Sequence, residues 1–158
     1  MADLRTNYMG LELRNPIIVG SSGLTNSIEK LENLEKAGAG AVVLKSLFEE
    51  QIAFHIQKTY AQNESNSSYP EASSDISNYT KENDVSTYLN LIREGKSKLS
   101  IPVIASINCV SSSEWITFAK KIEEAGADGL ELNIFVLPSD PHKNTEQNES
   151  VYFDIAMA

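Results

Sequence analysis

Apolar residues occur along this chain in two patterns, continuous runs and runs spaced three or four residues apart. Continuous runs are typical of parallel strands covered on both faces, and the spaced runs are typical of amphipathic helices. The continuous runs predict four strands, at residues 16–20, 41–44, 101–107 and 129–134. The spaced runs predict helices that follow them, near residues 27–36, 47–60, 85–95, 112–123 and from 151 onward.

One segment of the first half returns in the second half. Residues 34–45 read LEKAGAGAVVLK, and residues 122–133 read IEEAGADGLELN. In each copy a helix ends on Ala-Gly-Ala, where glycine supplies a left-handed residue, and an apolar strand follows. The strands end on Lys45 and Asn133. The repeat predicts a parallel α/β sheet or barrel, in which functional residues lie at the carboxyl ends of the strands.

Other stretches give less decisive patterns. Residues 63–80 are rich in Ser, Asn and Glu without an apolar period, which predicts a polar mobile loop or an insertion. Residues 138–150 are also predicted to be a polar loop. The helix predicted from Leu47 competes with a strand, because the segment also contains Phe54 and Tyr60.

The four predicted β/α units amount to half of a TIM (β/α)8 barrel, which typically needs about 250 residues. The 158 residues are expected to form one domain, the amino-terminal part of such a barrel, that ends within an element. An open half-barrel exposes the edges of its first and fourth strands. The chain is therefore expected to be a fragment, to pair with another chain, or to close as a small open α/β sheet.

Composition narrows the classes of partner. The net charge of −9 disfavours nucleic acids and anionic membranes, because both require a basic surface. The amino terminus lacks the basic and apolar regions of a signal peptide. The one cysteine, Cys109, excludes an internal disulfide and favours a reducing compartment. These features predict a cytoplasmic protein whose partners are neither nucleic acids nor membranes.

Four short motifs stand at the predicted strand ends, in this order: NPIIVGSSG at 15–23, LKS at 44–46, PVIASI at 102–107 and ELN at 131–133. Together they resemble the amino-terminal half of the dihydroorotate dehydrogenase-like proteins, which are FMN-dependent β/α barrels. LFEEQI at 47–52 resembles the dihydroorotate dehydrogenase-like variant of that family more than the standard enzyme. The resemblance implies an oxidoreductase of pyrimidine biosynthesis that transfers hydride between a dihydropyrimidine-like substrate and FMN.

The resemblance also implies roles for individual residues. Lys45 and Asn133 are implied to be catalytic, because they orient the substrate and the flavin. The implied cofactor-binding residues are Ser21, Ser22, Gly23, Lys45, Ser46, Ser106 and Asn133. The loops that hold the FMN phosphate follow strands seven and eight of such barrels, so this chain is expected to lack the phosphate site.

The sequence departs from the family at two places. In the standard enzyme a cysteine or serine follows the strand-four asparagine by three residues and is the base. Here Val136 stands at that position, and a valine side chain cannot accept a proton. The family's Asn- and Gly-rich substrate loop has no clear equivalent in residues 63–80. These departures predict a changed substrate or a different base.

Two other functions remain open from the sequence. The chain could be a non-catalytic half-barrel that assembles with itself or with a carboxyl-terminal half, which predicts a homo-oligomer or a two-part complex. It could also be an aldolase that uses Lys45 to form a Schiff base, which requires an apolar pocket that lowers the pKa of the lysine. His55 and His142 lack metal-ligand spacing, so no metal site is predicted.

Overall fold

The computed structural model describes residues 2–48, 71–108, 112–135 and 137–157. Its strands are β1 (Thr6–Tyr8), β2 (Leu11–Leu13), β3 (Ile18–Val19), β4 (Ala41–Val43), β5 (Leu47–Phe48), β6 (Val103–Asn108) and β7 (Gly129–Leu132). Its helices are α1 (Ile28–Lys36), α2 (Glu71–Lys98), α3 (Ser112–Glu124) and α4 (Thr145–Met157). No helix in the described ranges is both long enough and apolar enough to cross a bilayer.

The main sheet is parallel, and its strands follow the order of the chain. β3 pairs with β4, β4 pairs with β6, and β6 pairs with β7, all in parallel. β5 continues beyond β4 along the same edge of β6. Because strands that are successive in the chain are also neighbours in space, the sheet is consistent with part of a β/α barrel. The α/β class predicted from the sequence is confirmed.

The two copies of the repeat fold in the same way at their turns. Gly38 and Gly126 have φ values of 101° and 89°, in the left-handed region. The next amide, that of Ala39, donates to the Leu34 carbonyl at 3.1 Å. In the second copy the amide of Ala127 donates to the Ile122 carbonyl at 3.4 Å. These bonds close a Schellman motif at the end of α1 and again at the end of α3, so each helix stops where its strand must begin.

The hydrophobic core lies between the sheet and the helices α1, α2 and α3. On β6, Val103, Ala105 and Ile107 face this core. Side chains alternate along a strand, so Ile104 and Ser106 point to the opposite face of the sheet. We call that opposite face the interior face, since it corresponds to the lumen of a barrel. The helix-side residues of the core include Leu31, Ile92, Trp115, Phe118 and Ile122.

Three elements differ from the sequence predictions. Residues 71–80, predicted as part of a loop, form the first turns of α2, because extending a helix costs much less than nucleating one. α4 likewise begins at Thr145, within the predicted loop 138–150. Leu47–Phe48 form a strand rather than a helix start, because β6 offers them a free edge. Residues 49–60 of the predicted helix and residues 63–70 of the predicted loop lie outside the described residues.

A β-hairpin near the amino terminus has no counterpart in the predictions. β1 and β2 pair antiparallel, with Tyr8 opposite Leu11. Met9 and Gly10 between them have φ values of 53° and 78°. Two positive φ values in a two-residue loop are the geometry of a type I′ turn. Met-Gly is not among the residue pairs that usually mark this turn, so the sequence offers little signal for it.

Candidate functional site

β4 and β5 run along the same edge of β6, and residues 44–46 interrupt the strand between them. Val43 lies opposite Ile104, and Leu47 lies opposite Ile107. Residues 44–46 on this strand therefore face only residues 105–106 on β6, which is one extra residue and defines a β-bulge. The amide of Lys45 leaves the sheet and donates to the Thr25 carbonyl at 3.2 Å. Bulges of this kind redirect side chains, and this one lies at Lys45 and Ser46.

The hydroxyl of Tyr88 fills the gap that the bulge leaves in the sheet. The Ile104 carbonyl accepts a hydrogen bond from the amide of Leu44, just after β4. The backbone groups of Ser106, two residues further along β6, therefore point to the same edge of that strand. There the Ser106 amide donates to Tyr88 Oη at 2.8 Å, and Tyr88 Oη donates to the Ser106 carbonyl at 2.9 Å. A side chain from α2 thus replaces the missing strand residue.

The environment of Tyr88 keeps this hydroxyl protonated. Burial raises the pKa of the phenol far above its ordinary value. The hydrogen bond to Ser106 acts in the opposite direction, and the nearby negative charge of Glu131 adds to the rise. Because the phenol keeps its proton over the whole physiological range, it can donate to the Ser106 carbonyl at any working pH.

Replacing Tyr88 with phenylalanine is expected to lower the free energy of unfolding by roughly 1–3 kcal/mol, because it leaves buried backbone groups of Ser106 unpaired. Urea unfolding followed by circular dichroism measures the change. The matched control is Tyr152→Phe, since Tyr152 is 39% exposed on α4 and its hydroxyl can exchange to water. Equal stability of the two variants would show that Tyr88 does not repair the bulge.

Three of the predicted site residues meet in one hydrogen-bonded chain. Ser21 Oγ lies 3.1 Å from Ser46 Oγ, and it also accepts the Ser46 amide at 2.8 Å. Ser46 Oγ lies 2.5 Å from Ser106 Oγ. Ser106 Oγ donates to Glu131 Oε1 at 2.6 Å. We call Ser21, Ser46, Ser106 and Glu131 the serine chain; it runs from the loop after β3, through the bulge between β4 and β5, to β6 and β7.

Burial changes along the serine chain. Ser106 is fully buried and Ser46 is 6% exposed. Ser21, in the loop after β3, is exposed, and so is Glu131 on β7. The two middle hydroxyls are therefore shielded from water, while each end of the chain can reach solvent or a ligand. Such a chain is a pre-organised polar row along the interior face.

The other two residues of the predicted flavin loop hold the loop itself. The Ser22 amide donates to Thr25 Oγ1 at 3.2 Å, and Thr25 Oγ1 donates back to the Ser22 carbonyl at 3.1 Å. The Gly23 carbonyl accepts a bond from Lys30 Nζ at 2.7 Å. These bonds fix the path of the chain next to Ser21. The Ser22 amide and both carbonyls are thus used within the loop, and Ser22 Oγ accepts the Leu24 amide at 3.2 Å.

Among the described residues, the side chains of Lys45 and Asn133 form no hydrogen bond with the serine chain. Lys45 Nζ lies 5.8 Å from the centroid of the Phe48 ring, within the range of a cation–π contact. Lys45 and Phe48 line a cavity of about 500 Å³ between α1 and α2, with Asp84 and Glu94 on its helical side. Asn133 is exposed; its amide donates to the Ile107 carbonyl at 2.9 Å.

Sequence reasoning missed three polar residues at this end of the sheet. Glu131 lies two residues before Asn133, and Asn108 lies two residues after Ser106. Because side chains alternate along a strand, each shares a face with a predicted site residue, and this alternation could have identified both. Asn108 Nδ2 donates to the Asn133 carbonyl at 2.7 Å, which ties the ends of β6 and β7 together. Tyr88 carries no such signal, because on an amphipathic helix it is indistinguishable from a core residue.

The donor set suits an organic ligand better than a metal ion. Within residues 2–48, 71–108, 112–135 and 137–157, no three His, Cys, Asp or Glu side chains are grouped to hold a metal. The interior face instead offers hydroxyl and carboxamide groups, which both donate and accept. Groups of this kind fit the edge of a planar heterocycle such as a flavin, whose carbonyls and N–H alternate. Val136 and Cys109 lie outside the described residues.

Curated proteins similar to this chain carry one activity in their names. The catalytic subunit of dihydroorotate dehydrogenase B (NAD(+)) from Thermoplasma volcanium is 29% identical over 144 residues, covering 90% of this chain and 43% of that protein. The corresponding subunit from Methanocaldococcus jannaschii is 27% identical over 164 aligned positions, covering 98% and 49%. This chain resembles the amino-terminal half of the dihydroorotate dehydrogenases.

The resemblance covers most of this chain but less than half of each of these relatives. The Thermoplasma acidophilum subunit gives the same 29% identity over 144 residues, again 90% of this chain and 43% of its own length. The chain therefore spans less than half the length of these dihydroorotate dehydrogenases. No protein-family model matches it. The resemblance deduced from the four strand-end motifs is confirmed.

Proposed function

We propose that this chain forms the flavin-facing half of an FMN-dependent oxidoreductase that transfers hydride between a dihydropyrimidine-like substrate and FMN. The observation that carries the proposal is the serine chain, which brings residues from successive strands together at one end of a parallel sheet. This is where β/α barrels bind their ligands. The names of the dihydroorotate dehydrogenases to which the chain is similar support the same reaction class.

Three residues of this protein would have separate roles at such a site. FMN, when bound, supplies the hydride acceptor. Ser21 and Asn133, both exposed at the carboxyl ends of their strands, would hold the ring edge and the substrate through hydrogen bonds. Lys45 would place an ammonium where negative charge develops during reduction. Its four-carbon stem allows the ammonium to leave the Phe48 ring and reach a bound ligand.

The substrate is proposed to differ from that of the standard enzyme, or its proton to leave by another route. The support is the sequence position three residues after Asn133, where Val136 carries no acidic or basic group. A side chain without a lone pair cannot act as general base. The proposal predicts that dihydroorotate itself is a poor reductant for the bound flavin.

The test is anaerobic reduction of the flavin in the protein purified together with whatever it assembles with. We expect bound FMN to be bleached by at least one dihydropyrimidine, with dihydrouracil and dihydroorotate compared side by side. Lys45→Met is expected to slow bleaching by roughly 100-fold, the scale of losing one electrostatic stabiliser. Lys120→Met, on the exposed part of α3, is the matched control. Failure to bind any flavin would refute the proposal.

A non-catalytic assembly module is the second candidate function. It is favoured by the sheet edges, because within the described part of the chain β3 pairs only with β4 and β7 only with β6. Unpaired edges of this kind are ready to accept another strand. A stable, colourless homodimer that binds no flavin would support this candidate against the oxidoreductase.

A further inference from the structure

The serine chain has a fixed direction, set by the carboxylate at its end. A carboxylate only accepts hydrogen bonds, so the hydroxyl hydrogen of Ser106 points to Glu131 Oε1 at 2.6 Å. Each hydroxyl has one hydrogen to give. Ser106 Oγ therefore accepts from Ser46 Oγ across their 2.5 Å contact, and Ser46 Oγ accepts from Ser21 Oγ across 3.1 Å.

The consequence appears at the exposed end, at Ser21. Its hydroxyl hydrogen is committed to Ser46, and one of its lone pairs accepts the Ser46 amide at 2.8 Å. What remains toward solvent is a lone pair. Ser21 can therefore accept a hydrogen bond from a ligand but has no hydrogen left to donate. A serine hydroxyl usually both donates and accepts hydrogen bonds. Here Glu131, at the other end of the serine chain, leaves Ser21 able only to accept one from a ligand.

We propose that Glu131 is a positioning residue that polarises the serine chain, so that Ser21 selects a ligand presenting an N–H at the interior face. An imide or amide N–H on a planar ring has the required chemistry. This inference rests on the proposed function, because it places the edge of a flavin or pyrimidine ring at Ser21. It goes further by stating which edge is accepted: the one with a donor, not the one with a carbonyl.

Desolvation gives this selection its strength. Ser46 and Ser106 are buried, so water cannot easily supply a replacement donor or acceptor inside the chain. A ligand carbonyl facing the Ser21 lone pair would place two acceptors together, which is unfavourable. A ligand N–H completes the row instead, and one such hydrogen bond is worth about 0.5–1.5 kcal/mol.

The experiment compares lumiflavin with 3-methyllumiflavin, by quenching of their fluorescence on the full chain. Lumiflavin has no phosphate, so its binding does not need the phosphate-holding loops that follow strands seven and eight of such barrels. We expect the wild type to prefer the ring with the free N–H by about 2- to 10-fold. Glu131→Met removes the terminal acceptor, lets the chain reverse, and is expected to bring the ratio close to one.

Controls separate polarity from shape and from folding. Rejection of the methyl group by shape alone would be the same in wild type and Glu131→Met. Glu124→Met, at the exposed end of α3, is expected to leave the preference intact. If Glu131→Met does not fold, Ser21→Ala is the second variant, since loss of the accepting oxygen must also abolish the preference.

The outcomes distinguish this inference from the proposed function. If the wild type binds neither flavin, the proposed function fails, and uracil against 3-methyluracil, followed by the NMR shift of the Ser21 amide, still tests the polarity. A preference for the N–H form that Glu131→Met removes supports the inference. Equal binding of N–H and N-methyl forms by the wild type, or a preference unchanged by Glu131→Met, overturns it.

Discussion

Replacing Gly40 with alanine is expected to lower the free energy of unfolding by roughly 3 kcal/mol, at the upper end of the usual cost of overpacking. An added Cβ would collide with the Asn15 carbonyl oxygen and would lie 2.9 Å from Asn15 Oδ1. The Gly40 amide also donates to the Ile17 carbonyl at 2.7 Å, which holds the two backbones together. The collision is with backbone, so no change of rotamer relieves it.

Asn15 cannot move away, because its side chain has two other partners. Its Nδ2 donates to the Gly38 carbonyl at 2.9 Å, and its Oδ1 accepts the Ile17 amide at 3.0 Å. Gly20→Ala is the matched control, since nothing lies within 4 Å of its added Cβ. Thermal and urea unfolding of both variants measure the difference. Comparable stability of Gly40→Ala and Gly20→Ala would contradict the close packing of β3 against the turn before β4.

Replacing Ile92 with alanine is expected to cost about 2–5 kcal/mol, the range for removing a large buried aliphatic side chain. Ile92 is fully buried on α2 and belongs to the core cluster with Val103 and Ile107. A domain of this size is stable by only about 5–15 kcal/mol. The variant is therefore expected to unfold at a much lower urea concentration than the wild type.

The matched control for this change is Ile116→Ala on α3. Ile116 is 37% exposed, so the same truncation removes less buried surface there and leaves no closed cavity. A small loss at residue 116 and a large loss at residue 92 would support the packing of α2 on the sheet. A loss at residue 92 no larger than at residue 116 would mean that α2 does not cover β6.

The sequence predicts the framework of this fold because its signals are local. The glycines at 38 and 126 predict turns, because a helix often ends on a left-handed residue and glycine adopts that conformation readily. The apolar runs that end at Leu44 and Ile107 predict buried strands. Each of these inferences needs only a short segment and one physical rule. Ser21, Ser46 and Ser106 are predicted as site residues on a different ground, the resemblance of the strand-end motifs to the dihydroorotate dehydrogenase-like proteins.

The remainder depends on contacts that no short segment encodes. The strand at Leu47–Phe48 exists because β6 offers an edge, and the bulge before it exists because Tyr88 on a distant helix repairs the gap. Glu131 acquires its role only when β7 lies beside β6 and brings its carboxylate to Ser106. Tertiary contacts override local propensity at these positions, and they coincide with the candidate site.

The most direct test of the account is native mass spectrometry of the purified protein. We expect a mass well above that of one 158-residue chain, because the described strands β3 and β7 each pair on one side only and can accept another strand there. We also expect FMN to be released on activation. A bare monomer, or a homodimer without flavin, would contradict the account and would leave the chain as a scaffold without a cofactor site.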